Sequence, residues 1–212
     1  KTLDGNESEL KKTLLVIPSM RDLGGLALAT VNDQRSVGEE VYESQYVILH
    51  DSLKLEAKNE TTFPSELVKL NVWEGTCGME LGEKKISIAT GTGDWWGCAL
   101  EIQGEGKGEN LSKFLPGTLH FEIRGDTQSS FQMGYQSGTF NAGSQVDHFV
   151  VFGADNKNKL SSEWAKYSIP IKDLSQTTPE SLGDVTSLLF FKGANNFDGK
   201  SIEVRRIYWS ME

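Results

Sequence analysis

From Leu67 onward the chain is built of short apolar runs that alternate with polar residues and are separated by Gly, Asn, Asp and Ser. Alternation with a period of two sends successive side chains to opposite faces of an extended chain, so each run can bury only one face. The runs fall at Leu67–Trp73, Lys85–Thr90, Trp95–Ile102, Gly117–Arg124, Ser130–Tyr135, His148–Phe152, Ala165–Ile171, Ser187–Phe191 and Ser201–Trp209. Asp94, Gly125-Asp126, Gly138 and Asp155-Asn156 lie between them, residue types that suit tight turns. Many short half-buried strands need a second layer to cover their apolar faces, which predicts an all-β chain folded as a two-sheet antiparallel β-sandwich of the jelly-roll, galactose-binding-like kind. Single helical turns are expected at Asn110–Phe114 and Ile171–Leu174. In the last run the apolar parity changes between Val204 and Ile207, which predicts a β-bulge.

The first part reads differently. Leu14–Ile17 and Leu26–Val31 are apolar runs, Val47–Leu55 is a further strand candidate, and Lys1–Glu7 is polar enough to be disordered. The polar stretch 56–62 ahead of Phe63-Pro64 marks a boundary. Residues 1–62 are therefore an N-terminal segment: a linker, extra strands packed on the sandwich, or the tail of a preceding domain. Residues 63–212 form the module itself.

The chain of 212 residues carries 21 basic and 30 acidic side chains, a net charge of −9, and its pI is near 4.9. Phosphate backbones and anionic lipid need clustered Lys and Arg, so the balance argues against nucleic acid and for a neutral or cationic ligand. No apolar stretch approaches the roughly 18 residues of a membrane span, and no apolar signal core opens the sequence. Cys77 and Cys98 permit one disulfide without establishing it. Asn6, Asn59 and Asn110 begin glycosylation sequons, which matter only in a eukaryotic source. His50, His120 and His148 lack the paired spacing of a zinc site, and no nucleophile elbow or phosphate loop is present. Glu101 and Glu122 are the remaining pair for glycoside hydrolysis, which requires carboxylates about 5–9 Å apart. No metal or cofactor is required, but Glu74 and Glu203 are candidates for a shared structural calcium.

The segment Gly93–Ile102 carries the functional signal. Trp96, Cys98, Leu100 and Ile102 form a core row, while Trp95, Gly97, Ala99 and Glu101 set an aromatic plane beside two small residues and a carboxylate. A sugar ring can lay its C–H face on such a plane while charged and amide groups take its hydroxyls. Two other runs follow the same logic. His120, Glu122 and Arg124 alternate with Leu119, Phe121 and Ile123, and Gln132 and Gln136 flank Gly134 opposite Phe131, Met133 and Tyr135. If these strands share a face with Trp95, the seven residues Trp95, Glu101, His120, Glu122, Arg124, Gln132 and Gln136 make one sugar-binding surface. The plainer reading is a solvated outer face, with Trp95 tucked under a loop. Trp73, Phe149 and Phe190 read as structural or core.

The segments Glu83–Ile88, Asp94–Leu100, Leu111–Gly125, Glu163–Ile171 and Ile202–Tyr208, in that order, resemble the jelly-roll carbohydrate-binding modules and the galactose-binding-like extra domains of bacterial polysaccharide hydrolases. The chain looks closest to the C-terminal extra domain of marine bacterial family 3 exo-1,3/1,4-β-glucanases. The resemblance implies a noncatalytic β-glucan-binding module of a glycoside hydrolase, with polysaccharide or oligosaccharide and the parent's catalytic domain as partners, outside the cytoplasm or in the periplasm of a bacterium. Two other functions stay open: a domain that supports the catalytic unit without binding sugar, and a jelly-roll lyase or hydrolase.

Overall fold

The alternating runs become strands in the computed structural model of the chain, which describes residues 45–49, 68–82, 84–103, 108–139, 142–153, 157–197 and 199–211. Asn6, Asn59, His50, the runs at 14–17 and 26–31, the boundary at 62 and the turn at 155–156 lie outside them. In chain order the strands are β1 Gln45–Leu49, β2 Val68–Val72, β3 Cys77–Leu81, β4 Ile86–Thr90, β5 Trp96–Ile102, β6 Thr118–Gly125, β7 Phe131–Ser137, β8 Val146–Phe152, β9 Ala165–Pro170, β10 Val185–Gly193 and β11 Ser201–Ser210.

They make two antiparallel sheets. One has the order β3-β4-β11-β6-β9, with β1 alongside the C-terminal half of β11; the other has the order β2-β5-β10-β7-β8. This is the two-sheet sandwich that the alternation requires. One strand of it, β1, comes from the segment before residue 63.

The inward rows meet in one core. Trp96, Cys98, Leu100, Phe131, Met133 and Tyr135 of one sheet face Ile86, Ile88, Leu119, Phe121, Ile123, Val204 and Trp209 of the other, all of them buried. Burying a large aliphatic or aromatic side chain is worth about 1.5–3 kcal/mol, so this double row is the main source of stability. Single 3-10 turns occur at Ser112–Phe114 and Ile171–Asp173, within the stretches expected. The bulge lies where parity changes: the β11–β6 register shifts between Arg205 and Tyr208, and Arg206 adopts a positive φ of 53°.

Two elements lie outside the predicted runs. β3, Cys-Gly-Met-Glu-Leu, does alternate, with Cys77, Met79 and Leu81 in one row, but it is a five-residue edge strand whose apolar row is only half-buried or exposed. Pro179–Leu182 is a short helix, α1, closed by a reciprocal capping box between Thr178 and Ser181.

Between β2 and β3 the chain leaves one sheet for the other through a 3-10 turn at Trp73–Gly75, with φ of 52° at Glu74 and 67° at Gly75. Thr76 fastens this turn to the neighbouring strand: its hydroxyl donates to the Trp73 carbonyl (2.8 Å) and accepts from the Gly97 amide (3.1 Å).

Candidate functional site

The strand register lays out the outer face of the five-stranded sheet. Asn71, Ala99, Phe190, Gly134 and Phe149 form one row across it; Gly97, Lys192, Gln132 and Val151 form the next; Lys69, Glu101, Gln136 and Asp147 belong to a third. A cleft of about 920 Å³ opens on this face, lined among others by Trp73, Trp95, Glu101, Asp147, Phe149 and Lys192. A smaller depression of about 410 Å³, lined by Gln132, Val151 and Lys192, lies against Trp95 as well. Trp95 thus borders both hollows. It stands just ahead of β5 and is 39% exposed, so its ring is neither between the layers nor under a loop.

Trp73 forms the second aromatic element. It continues the outward parity of Lys69 and Asn71, and its ring stacks beside Phe190 at 6.2 Å with 26° between planes. It can lie there because position 97 has no side chain: a Cβ on Gly97 would sit 2.1 Å from Trp73 Cε3. The two small residues at 97 and 99 are therefore not an open floor. Trp73 covers Gly97, and Ala99 and Phe190 are fully buried. Gly134 serves backbone approach instead, because a Cβ there would meet the His148 carbonyl at 1.8 Å.

Of the carboxylates that line the cleft, Glu101 and Asp147 are each held by fixed donors. Glu101 Oε1 accepts from Asn71 Nδ2 (2.6 Å) and from the Trp73 indole N–H (3.3 Å), and Oε2 lies 3.4 Å from Lys69 Nζ. Asp147 accepts from Gln136 Nε2 (2.8 Å) and Lys192 Nζ (2.9 Å). Gln136 is itself buried, with its carbonyl oxygen accepting from the Ser187 hydroxyl at 2.7 Å. It positions Asp147 and has little left to offer a hydroxyl. Glu101, Asp147 and Lys192 remain partly open to solvent and supply both acceptors and a donor along an aromatic surface. Such a face can stack on the apolar side of a ring and bind hydroxyls at its rim.

The structure divides the seven residues of the sequence-based surface. Glu101, Gln132 and Gln136 stand on the five-stranded sheet, with Trp95 just ahead of its strand β5, whereas His120, Glu122 and Arg124 stand on β6, in the other sheet. Alternation holds within each strand, but β6 and β7 are consecutive in sequence and belong to different layers. The β6 trio has structural partners there. Glu122 is bound by Arg205 Nε and Arg206 Nη1, both at 2.7 Å. Burial would raise its carboxyl, yet these two hydrogen bonds and charges hold it below the ordinary value. Arg124 binds Glu203 and lies 4.7 Å over the Trp164 ring, with Arg205 at 4.1 Å from the same ring. His120 bridges the Ser168 and Ser210 hydroxyls and stacks on Tyr208.

The same division separates Glu101 from Glu122, so they do not form a catalytic pair across one cleft. It also separates Glu74, on the rim of the cleft, from Glu203, which is on β11 of the other sheet and is paired with Lys85 and Arg124. Among the described residues no group of three or more His, Cys, Asp or Glu side chains is arranged to hold a metal ion. Cys77 and Cys98 are both free thiols. No helix among the described residues is long and apolar enough to cross a membrane.

Asn71, Trp73, Asp147, Phe149 and Lys192 are the residues of this face that sequence reasoning does not select. Trp73 and Asn71 are within reach of it, since both share parity with Lys69. Phe149 is not: Val146–Phe152 is apolar on both faces, and only its pairing with Gly134 shows which side is out.

Comparison with known proteins agrees with the two-sheet fold. The family model described as carbohydrate binding domain 30 matches residues 38–211. Among solved structures, one family 30 carbohydrate-binding module superposes with a TM-score of 0.55 at 19% identity, over 79% of this chain and 99% of that one. A second gives a TM-score of 0.50 at 21% identity, over 68% and 77% of the two chains. The family 30 module of the cellulosomal cellulase Cel9D-Cel44B of Clostridium thermocellum gives 0.53 at 18% identity, over 78% and 96%. No curated protein matches the chain.

Proposed function

The chain belongs to the carbohydrate-binding domain 30 family, and from that premise we propose that it binds the glucose backbone of a β-glucan along the outer face of the five-stranded sheet. The observation that carries this reading is the pair Trp73 and Trp95 on one face, framed by Glu101, Asp147 and Lys192. Both indoles offer a plane to the C–H face of a pyranose, and the framing groups suit its equatorial hydroxyls. The cleft continues past Trp95 into a second depression, which suits an internal stretch of chain rather than a chain end. An open face leaves much of the sugar hydrated, so the expected affinity is modest.

The module acts in this reading as the noncatalytic part of a secreted glycoside hydrolase that degrades β-glucan, outside the cytoplasm. The relative carried by a cellulase supports that placement. Isothermal titration with cello-oligosaccharides, mixed-linkage glucan and laminarin tests the specificity. Heat with at least one of them, lost in Trp73→Ala and Trp95→Ala, is the expected result. Silence with all three would overturn the β-glucan assignment, and heats unchanged by both substitutions would overturn the surface.

A further inference from the structure

Cys77 opens β3 in one sheet and Cys98 lies in β5 of the other, and each thiol is near enough to shift the pKa of its neighbour. Cys77 Sγ also approaches the carbonyl of Gly97, the neighbour of Cys98, at 3.5 Å. They differ in access: Cys98 is fully buried, whereas Cys77 is half-buried. They also sit at a particular place. The turn that holds Trp73 ends at Thr76, immediately before Cys77, and the Trp73 ring covers Gly97, immediately before Cys98.

We propose that Cys77 and Cys98 form a reversible disulfide that ties the two sheets together directly beneath the Trp73 wall of the cleft, with low-molecular-weight disulfides as the oxidant. The exchange runs in two displacements. Cys77, the accessible member, attacks one sulfur of the small disulfide as a thiolate; an S–S bond forms to the protein and one small thiolate leaves. Cys98 loses its proton and attacks the Cys77 sulfur, forming the protein disulfide and expelling the second small thiolate. The protein pair gives up two electrons and two protons, and the small disulfide becomes two thiols. The order of attack follows from access and from the Cys98 thiol, whose hydrogen bond lowers the pKa of Cys77, while that same pairing and burial push Cys98 up.

Closing a loop of this length restricts the unfolded chain and adds stability. The corresponding rise in Tm for a chain of this size is roughly 5–10 °C. Oxidation of the pair is independent of which sugar is bound. It is tested on the full chain incubated with oxidised glutathione or with dithiothreitol, by thiol titration under denaturing conditions, mass spectrometry and thermal unfolding. Expected are loss of both thiols together, a monomer lighter by two hydrogens, and a higher Tm that dithiothreitol reverses. Cys98→Ser should instead stop at a glutathione adduct on Cys77, and Cys77→Ser should leave Cys98 unmodified in the folded state. Two free thiols after prolonged oxidation, a stable glutathione adduct on the wild-type chain, or a disulfide-linked dimer would each overturn the proposal.

Discussion

Gly97 and Trp73 show how one missing side chain shapes a binding surface. With hydrogen at position 97 the indole settles on the strand and its opposite face borders the cleft; with any Cβ it must move, because the clash at 2.1 Å involves a rigid ring hemmed in by Phe190. Gly97→Val should therefore cost about 1–3 kcal/mol of stability, the usual penalty of overpacking, and displace the ring. Denaturant unfolding reads the first effect and sugar titration the second. Trp73→Ala should weaken binding roughly 10- to 30-fold, as expected for removal of a central aromatic anchor. At this scale the sequence is informative where one strand suffices. Parity alone places Trp95, Gly97 and Glu101 on the outer row, and Trp73 shares parity with Lys69 and Asn71. What parity does not reveal is that Gly97 is small in order to receive Trp73, since that contact joins β5 to the turn after β2.

His148 is a second residue with a readable consequence. It is buried, stacked on Tyr135 at 4.3 Å, and its Nδ1–H donates to the Ser175 carbonyl (2.9 Å) while Nε2 accepts from the Ser137 hydroxyl (2.8 Å). Burial holds its pKa below the ordinary 6.5, against the raising influence of the Ser175 and Gln176 backbone and of Asp147. The unfolded chain then takes up the proton first as pH drops, so stability is complete above 6.5 and declines as pH falls below it. A chemical-denaturation series across this range should show the decline, and His148→Gln should flatten it.

Among the elements, β11 does most to organise the other face. Its bulge sends Arg205 and Arg206 to one side of the strand, where both reach Glu122, while Glu203 takes Lys85 and Arg124. In both carboxylates burial would raise the pKa, but the paired cations win and lower it from the ordinary 4.5. Lowered carboxylate pKa values stabilise the fold above the unfolded value and lose that contribution as pH falls through the folded one. A second loss of stability is therefore expected below 4.5. Glu122, whose side chain is only 14% exposed, should cost about 1–3 kcal/mol when replaced by Gln; urea unfolding of Glu122→Gln at neutral pH measures it. The bulge is legible in the sequence, because Val204 and Ile207 are both inward and an odd spacing cannot place them so in a regular strand. The edge strand β3 is less so: Cys77, Met79 and Leu81 alternate, but over five residues with Gly78 and Glu80 between them the signal is weak.

For the whole molecule, two sheets give two outer faces of different character. The face of β2-β5-β10-β7-β8 has exposed and half-buried aromatics over a cleft; the face of β3-β4-β11-β6-β9 is covered by ion pairs and cation–π contacts around Trp164. The sandwich itself follows from alternation and turn chemistry, but the strand order does not. β6 and β7, neighbours in sequence, sit in different layers, and that crossing divides a set of polar residues that reads as one surface. The five tryptophans report on the division: Trp73 and Trp95 line the cleft, Trp96 and Trp209 are buried, and Trp164 lies on the opposite face. Their indole N–H signals, followed by NMR as a β-glucan oligosaccharide is added, test the central claim directly. Shifts at Trp73 and Trp95, with Trp164 and Trp209 unmoved, are predicted; movement of Trp164 with Trp73 and Trp95 unchanged would contradict the account.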